Sequence, residues 1–304
     1  MNDHYLWDRT GPPDPESQNL EALLRPLADA GTPRRAHTNQ TNTNRTKTSL
    51  WWTLAAALLL AAGLYFRPTA PGWDTPQGRL AVGQWLNATQ ATHLSVASIG
   101  TLDVAAGSRL RLESSQEGNY RVRLERGKLD ALILAPPRQF FVDTPTAVAV
   151  DLGCAYSLEV DPAGETRVTV RSGWVAFESK GEEAFIPAGA HCRTSPVFGL
   201  GVPVYNDASI ALQQSVKRFE ESSELALPAD LRPQDGLTLW HLLRRVLPAQ
   251  RAALFDQFAR LVTLPAGVSR ASVIAGEREA LDSLWSALQL GDSAFWRRWR
   301  QKLE

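Results

Sequence analysis

The side chains able to bind a metal or move a proton are few and scattered. The five histidines are His4, His37, His93, His191 and His241. Only His191 has another His or a Cys at ligand spacing, the adjacent Cys192. Neighbours in a strand point to opposite faces, so this pair makes a poor metal site. Four carboxylates, Asp143, Asp151, Glu159 and Asp161, fall near the ends of alternating runs, where solvated turns are expected. No Gly-rich phosphate loop, nucleophile elbow or zinc-protease motif occurs. The expectation is a protein without enzymatic activity, metal or cofactor.

The elements that carry these residues divide at one segment, "RTKTSLWWTLAAALLLAAGLYFRP". No side chain between Lys47 and Arg67 is charged, and residues 50–66 are apolar almost throughout. Leu50, Leu58, Leu59, Leu60 and Phe66 form its body, while Trp51, Trp52 and Tyr65 stand at its ends. A bilayer core needs about 20 apolar residues in a helix, with a lower bound of about 17. Terminal amphipathic rings favour the headgroup level. A helix buried in a soluble core would show a polar stripe, which is absent here. A cleaved export signal fits poorly, because the run lies far from Met1 and no small-x-small site follows it. Residues 50–66 therefore read as one transmembrane helix, with a deeply buried helix as the alternative.

Orientation follows from the flanks. Arg34, Arg35, Arg45 and Lys47 precede the run with no acid among them. That bias places residues 1–49 in the cytoplasm and 67–304 across the membrane. Overall the charge is balanced, 32 basic against 32 acidic residues, so no direct contact with nucleic acid is expected. Cys154 and Cys192 both fall on the outer side, where an oxidising compartment permits a disulfide. A Cys154–Cys192 bridge is the expectation, and two buried free thiols are the alternative.

Residues 1–30 read as a short helical head. Asp14, Pro15 and Glu16 suit a helix start. Leu20, Leu23, Leu24 and Leu27 then form one apolar stripe, which Trp7 can only partly cover. Such a stripe binds a cytoplasmic protein, lies on the membrane or packs against a second copy. Residues 31–49 are polar and aperiodic, a tether, and 67–77 read as a linker.

From residue 78 to 196 the period changes to two. "RLRLES", "YRVRLE", "YSLEVD" and "TRVTVRS" are short alternating runs separated by turn residues. "VRLERGKLDALI" around Gly127 and "VTVRSGWVAFES" around Gly173 echo each other as strand, Gly turn, strand. "VAAGSRLRL" around Gly107 and "IPAGAHCRT" around Gly189 form a weaker pair. An all-β unit follows, either rolled and solenoid-like or a sandwich. Residues 205–304 return to helical spacing as a small all-α domain. Helices are expected over 207–226, at "LTLWHLLRRVL", from Pro248, and over 278–290, with "FWRRWRQKL" closing the chain.

The stretches "AAGSRLRLE", "LERGKLDALI", "FFVDTPTAVAVDLGCAYSLEVD" and "VTVRSGWVAFES" resemble the FecR family. Their turn glycines are Gly107, Gly127, Gly153 and Gly173, and Gly189 of "IPAGAHCRT" is counted with them. The resemblance implies a regulator in a bacterial inner membrane, with one anchor and a periplasmic FecR domain. It further implies a cytoplasmic partner, an extracytoplasmic-function sigma factor, and a periplasmic one such as an outer-membrane receptor. The expected role is thus signal transduction to transcription. The alternative is a non-enzymatic scaffold or adaptor tethered in the envelope.

Overall fold

The computed structural model describes residues 71–76 and 78–291. The expected head, tether and membrane span, and the terminal "FWRRWRQKL", lie outside them. Among the described residues no helix is long and apolar enough to cross a membrane.

The alternating runs fold as strands. β1 (Gly72–Thr75) and β2 (Gly78–Ala81) pair antiparallel as a separate ribbon. The segment expected as a linker, 67–77, thus already contains a strand. Trp73 is the physical reason: its ring is buried, 6.4 Å from that of Phe140, and its Nε1–H donates to Ser115 Oγ at 3.0 Å.

The next strands are β3 (Trp85–Asn87), β4 (Thr92–Val96), β5 (Gly100–Val104), β6 (Arg109–Gln116), β7 (Asn119–Ile133), β8 (Phe140–Asp143) and β9 (Val148–Asp151). After them come β10 (Ala155–Val160), β11 (Thr166–Ser172), β12 (Trp174–Ser179), β13 (Glu182–Pro187), β14 (Ala190–Ser195), β15 (Gly199–Leu200) and β16 (Val204–Tyr205). β7 is long enough to serve two sheets. Its first half pairs with β6 and, in parallel, with β8. Its second half pairs with β5 and β10. One sheet therefore runs β13-β12-β9-β8-β7-β6-β3, and the other runs β4-β5-β7-β10-β11-β14, with β15 and β16 on β14. Leu110, Val122, Phe140 and Phe177 of the first sheet share one core with Leu102, Leu129, Tyr156 and Val168 of the second. The sequence left a roll and a sandwich open, and the fold joins features of both.

The chain passes between the sheets at glycines. Gly107, Gly153, Gly173 and Gly189 separate β5 from β6, β9 from β10, β11 from β12 and β13 from β14, and Gly127 is the bend inside β7. All five have positive φ. The echoing strand–Gly turn–strand segments around Gly127 and Gly173 are thus corners between the sheets. Their flanking strands pair with other partners, because a strand cannot fold back on itself while it feeds the opposite sheet. Neighbouring corners stack: Leu152 N–H donates to the Trp174 carbonyl at 3.2 Å, and Ala188 N–H to that of Gly173 at 3.0 Å.

The carboxy-terminal described part is helical: α1 (Ile210–Ser222), a 3₁₀ turn (Pro233–Asp235), α2 (Gly236–Leu243), α3 (Pro248–Leu261), α4 (Arg270–Ala275) and α5 (Arg278–Ala287). Pro248 opens α3 as its fixed φ suggests. The sequence reading missed α4, a short helix capped by Ser269 Oγ on the Ser272 N–H and ended by Gly276 in the left-handed region. An aromatic joint fixes these helices to the sheets. Trp285 lies 4.7 Å from Trp240, 5.6 Å from Phe185 and 6.0 Å from Trp174, and Trp240 Nε1–H donates to the Leu281 carbonyl at 2.7 Å.

Candidate functional site

The outer face of β11 and β14 carries charged side chains that a helix approaches. Val168 and Cys192 point into the core, so their neighbours Arg167, Thr169, His191 and Arg193 point outward. The register sets Arg167 directly opposite Arg193, and Thr169 opposite His191. Like charges at directly opposed positions repel, so this arrangement costs stability unless something compensates it.

α1 lies against this face. Ser209 Oγ caps its start by accepting the Leu212 N–H at 3.2 Å, and Leu212 and Val216 are buried beneath it. Glu220 locks the helix down: its carboxylate accepts from the Val202 N–H at 2.8 Å and from Arg193 Nη2 at 2.7 Å. Burial raises the Glu220 pKa, and its two donors work against that rise. Arg193 is thereby committed, with its guanidinium also 5.5 Å over the Phe198 ring. His191 Nδ1–H donates to Asn206 Oδ1 at 2.8 Å. Its pKa is lowered, mainly by burial and further by Arg167 and Arg193, so the ring is neutral at neutral pH.

Between α1 and the strands lies a cavity of about 280 Å³. Arg167, His191, Arg193 and Lys217 line it, and Glu220 is its acid. Arg167 has no hydrogen-bond or ion-pair partner among the described residues. Its other cross-strand neighbour, Glu159, is held by Lys128 at 3.0 Å. The groove can therefore receive negative charge.

The residues singled out from sequence fare differently. Trp7, Leu20, Leu23, Leu24 and Leu27 of the head, and Leu50–Phe66 of the span, lie outside the described residues. The disulfide expectation is corrected: Cys154 and Cys192 are both free and buried. β11 runs between them, with Ala155 paired near its end at Ser172 and Cys192 opposite Val168. Two strand spacings of about 4.8 Å already exceed the Cα separation of about 7 Å that a disulfide tolerates. Burial raises both thiol pKa values, so both remain protonated.

The carboxylates need correction as well. Asp161 does cap an exposed turn, accepting from the Ala163 and Glu165 N–H groups. Asp143, by contrast, is buried in a two-pronged pair with Arg121 at 2.8 and 2.5 Å. Asp151 is 1% exposed and accepts from Gly153 N–H at 2.7 Å and Cys154 Sγ at 2.8 Å. Burial pushes its pKa up to about 7. Among the described residues no group of three or more His, Cys, Asp or Glu side chains could hold a metal ion.

Comparison with known proteins bears on the β unit. No curated protein matches the chain. Two crystal structures of a "putative anti-sigma factor" from Parabacteroides distasonis ATCC 8503 are similar to it. Each is 17% identical with a TM-score of 0.35; 53% of this chain is covered, and 74% and 73% of theirs. The family described as "FecR protein" matches residues 87–176, from the end of β3 into β12. That stretch contains four of the five glycine corners, and it is a FecR domain.

Proposed function

We propose that this chain is a FecR-type transmembrane signalling regulator. Residues 50–66 form its single membrane helix, residues 1–49 stand in the cytoplasm, and 67–304 stand in the periplasm of a bacterial inner membrane. The FecR domain with its helical extension receives a signal from a periplasmic protein. The head, through Trp7 and the stripe Leu20, Leu23, Leu24 and Leu27, binds an extracytoplasmic-function sigma factor. The observation that carries this reading is the FecR domain at 87–176 on the carboxy-terminal side of an uncharged apolar run. The basic residues left on the other flank of that run support the orientation.

The test is co-purification from cells of the full chain, extracted in detergent, followed by identification of bound proteins. A sigma factor should be recovered with the wild type and lost with Leu20→Asp plus Leu24→Asp. Recovery of envelope proteins alone, with both chains, would overturn the reading in favour of an envelope scaffold.

A further inference from the structure

We propose that the groove between α1 and the β11–β14 face is a docking site for an acidic segment of a partner polypeptide. The first ground is the opposed pair Arg167 and Arg193. Arg193 is already bound to Glu220 and serves the fold. Arg167 serves nothing among the described residues, and it stands where its charge repels Arg193. An arginine that lines a groove beside a second arginine, with no hydrogen-bond or ion-pair partner of its own among the described residues, can receive a carboxylate that arrives from outside. The planar guanidinium suits that group, because it donates two parallel hydrogen bonds to a carboxylate.

The second ground is the surrounding wall. Lys217 adds charge from α1, while Ile210 at its first turn is 73% exposed and lines the same cavity. An exposed apolar side chain beside a cationic floor matches a chain that presents carboxylates next to apolar side chains. Size points the same way. Sites that enclose small molecules usually run from about 300 to 1,000 Å³ and bury most of the ligand. This cavity, about 280 Å³ and open to solvent, accommodates side chains of a larger partner. The site lies wholly within the described residues and operates whether or not residues 50–66 cross a membrane.

The experiment is an anisotropy titration of the full chain with a labelled eight-residue peptide of alternating glutamate and leucine, paired with melting curves. The wild type should bind, and binding should weaken as salt is raised. Arg167→Gln should weaken binding roughly fivefold, the scale of one lost, partly exposed ion pair. Without peptide the same variant should melt close to the wild type, since the lost repulsion with Arg193 is offset by the lost attraction to Glu159. Ile210→Ser should also weaken binding, with an unchanged melting temperature. Arg260→Gln, an exposed cation on α3 away from the groove, should bind as the wild type does.

Three results would overturn the proposal. One is no binding by the wild type. Another is an equal loss from Arg167→Gln and Arg260→Gln, which would mean that only bulk charge matters. The last is inorganic phosphate alone stabilising the protein as much as the peptide does, which would assign the groove to a small free anion.

Discussion

The Phe185 backbone N–H donates to His241 Nε2 at 3.1 Å, so an imidazole from α2 takes the place of a carbonyl at the sheet margin. The same ring donates from Nδ1 to the Leu237 carbonyl at 2.9 Å, which fixes the neutral tautomer. Burial lowers the His241 pKa well below its ordinary value. The unfolded chain takes up a proton near pH 6.5 that the folded chain refuses. The stabilising contribution is therefore complete above about pH 6.5 and is lost as pH falls below it. His241→Leu should cost about 1–3 kcal/mol at pH 7.5, the scale of a lost buried acceptor. Denaturant melts at pH 7.5 and 5.5 should show the gap between variant and wild type narrowing in acid.

Asp151 has the opposite sign. Its folded pKa of about 7 lies above the unfolded value of 3.8, so its contribution is fully present below pH 3.8 and lost as pH rises through 7. Wild-type stability should carry a component that declines by up to about 1.4 kcal/mol per pH unit across that window. Asp151→Asn, which keeps an acceptor for the Gly153 N–H, should remove it. A stability gain of the variant that is larger at pH 8 than at pH 5 is the expected outcome.

Tyr156 lies in the core with a hydroxyl that has no partner among the described residues. A buried polar group left unmatched carries a desolvation cost that phenylalanine avoids. Tyr156→Phe should leave stability unchanged or raise it by up to about 1 kcal/mol, measured by urea denaturation. A clear loss would show that the hydroxyl is bonded.

The glycine corners differ from ordinary turns. A Cβ at Gly127 would stand 2.5 Å from the Ser108 Cα, and φ there is 95°. Gly118, in the β6–β7 turn, also has positive φ but faces open space. Gly118→Ala should cost about 1–2 kcal/mol from backbone strain alone. Gly127→Ala should cost clearly more, since the Ser108 corner must also move, and paired thermal melts would show the order.

Much of the β architecture is legible because alternation records burial directly: Leu94 and Val96 face in while His93 and Ser95 face out. The stripe Leu281, Leu284 and Trp285 is buried in α5 as its spacing requires. What sequence does not reveal is pairing at a distance. "VRLERGKLDALI" reads as strand, Gly turn, strand, yet Gly127 bends one continuous strand, because the partners that decide this are β5, β6 and β10. The groove was missed for the same reason. Arg167 and Arg193 become neighbours only through the β11–β14 register, and no local motif announces it. Asp151 read as a turn residue because strand ends usually are solvated, but here its side chain is buried and accepts from the Gly153 N–H.

The most direct test of the account is topology. A phosphatase that is active only outside the cytoplasm should be joined after Glu304 in one fusion and after Ser49 in another, each expressed in a bacterial host. The account predicts activity from the first fusion and none from the second. Silence after Glu304, with the fusion protein intact, would contradict a FecR domain held across the membrane from its partner-binding head.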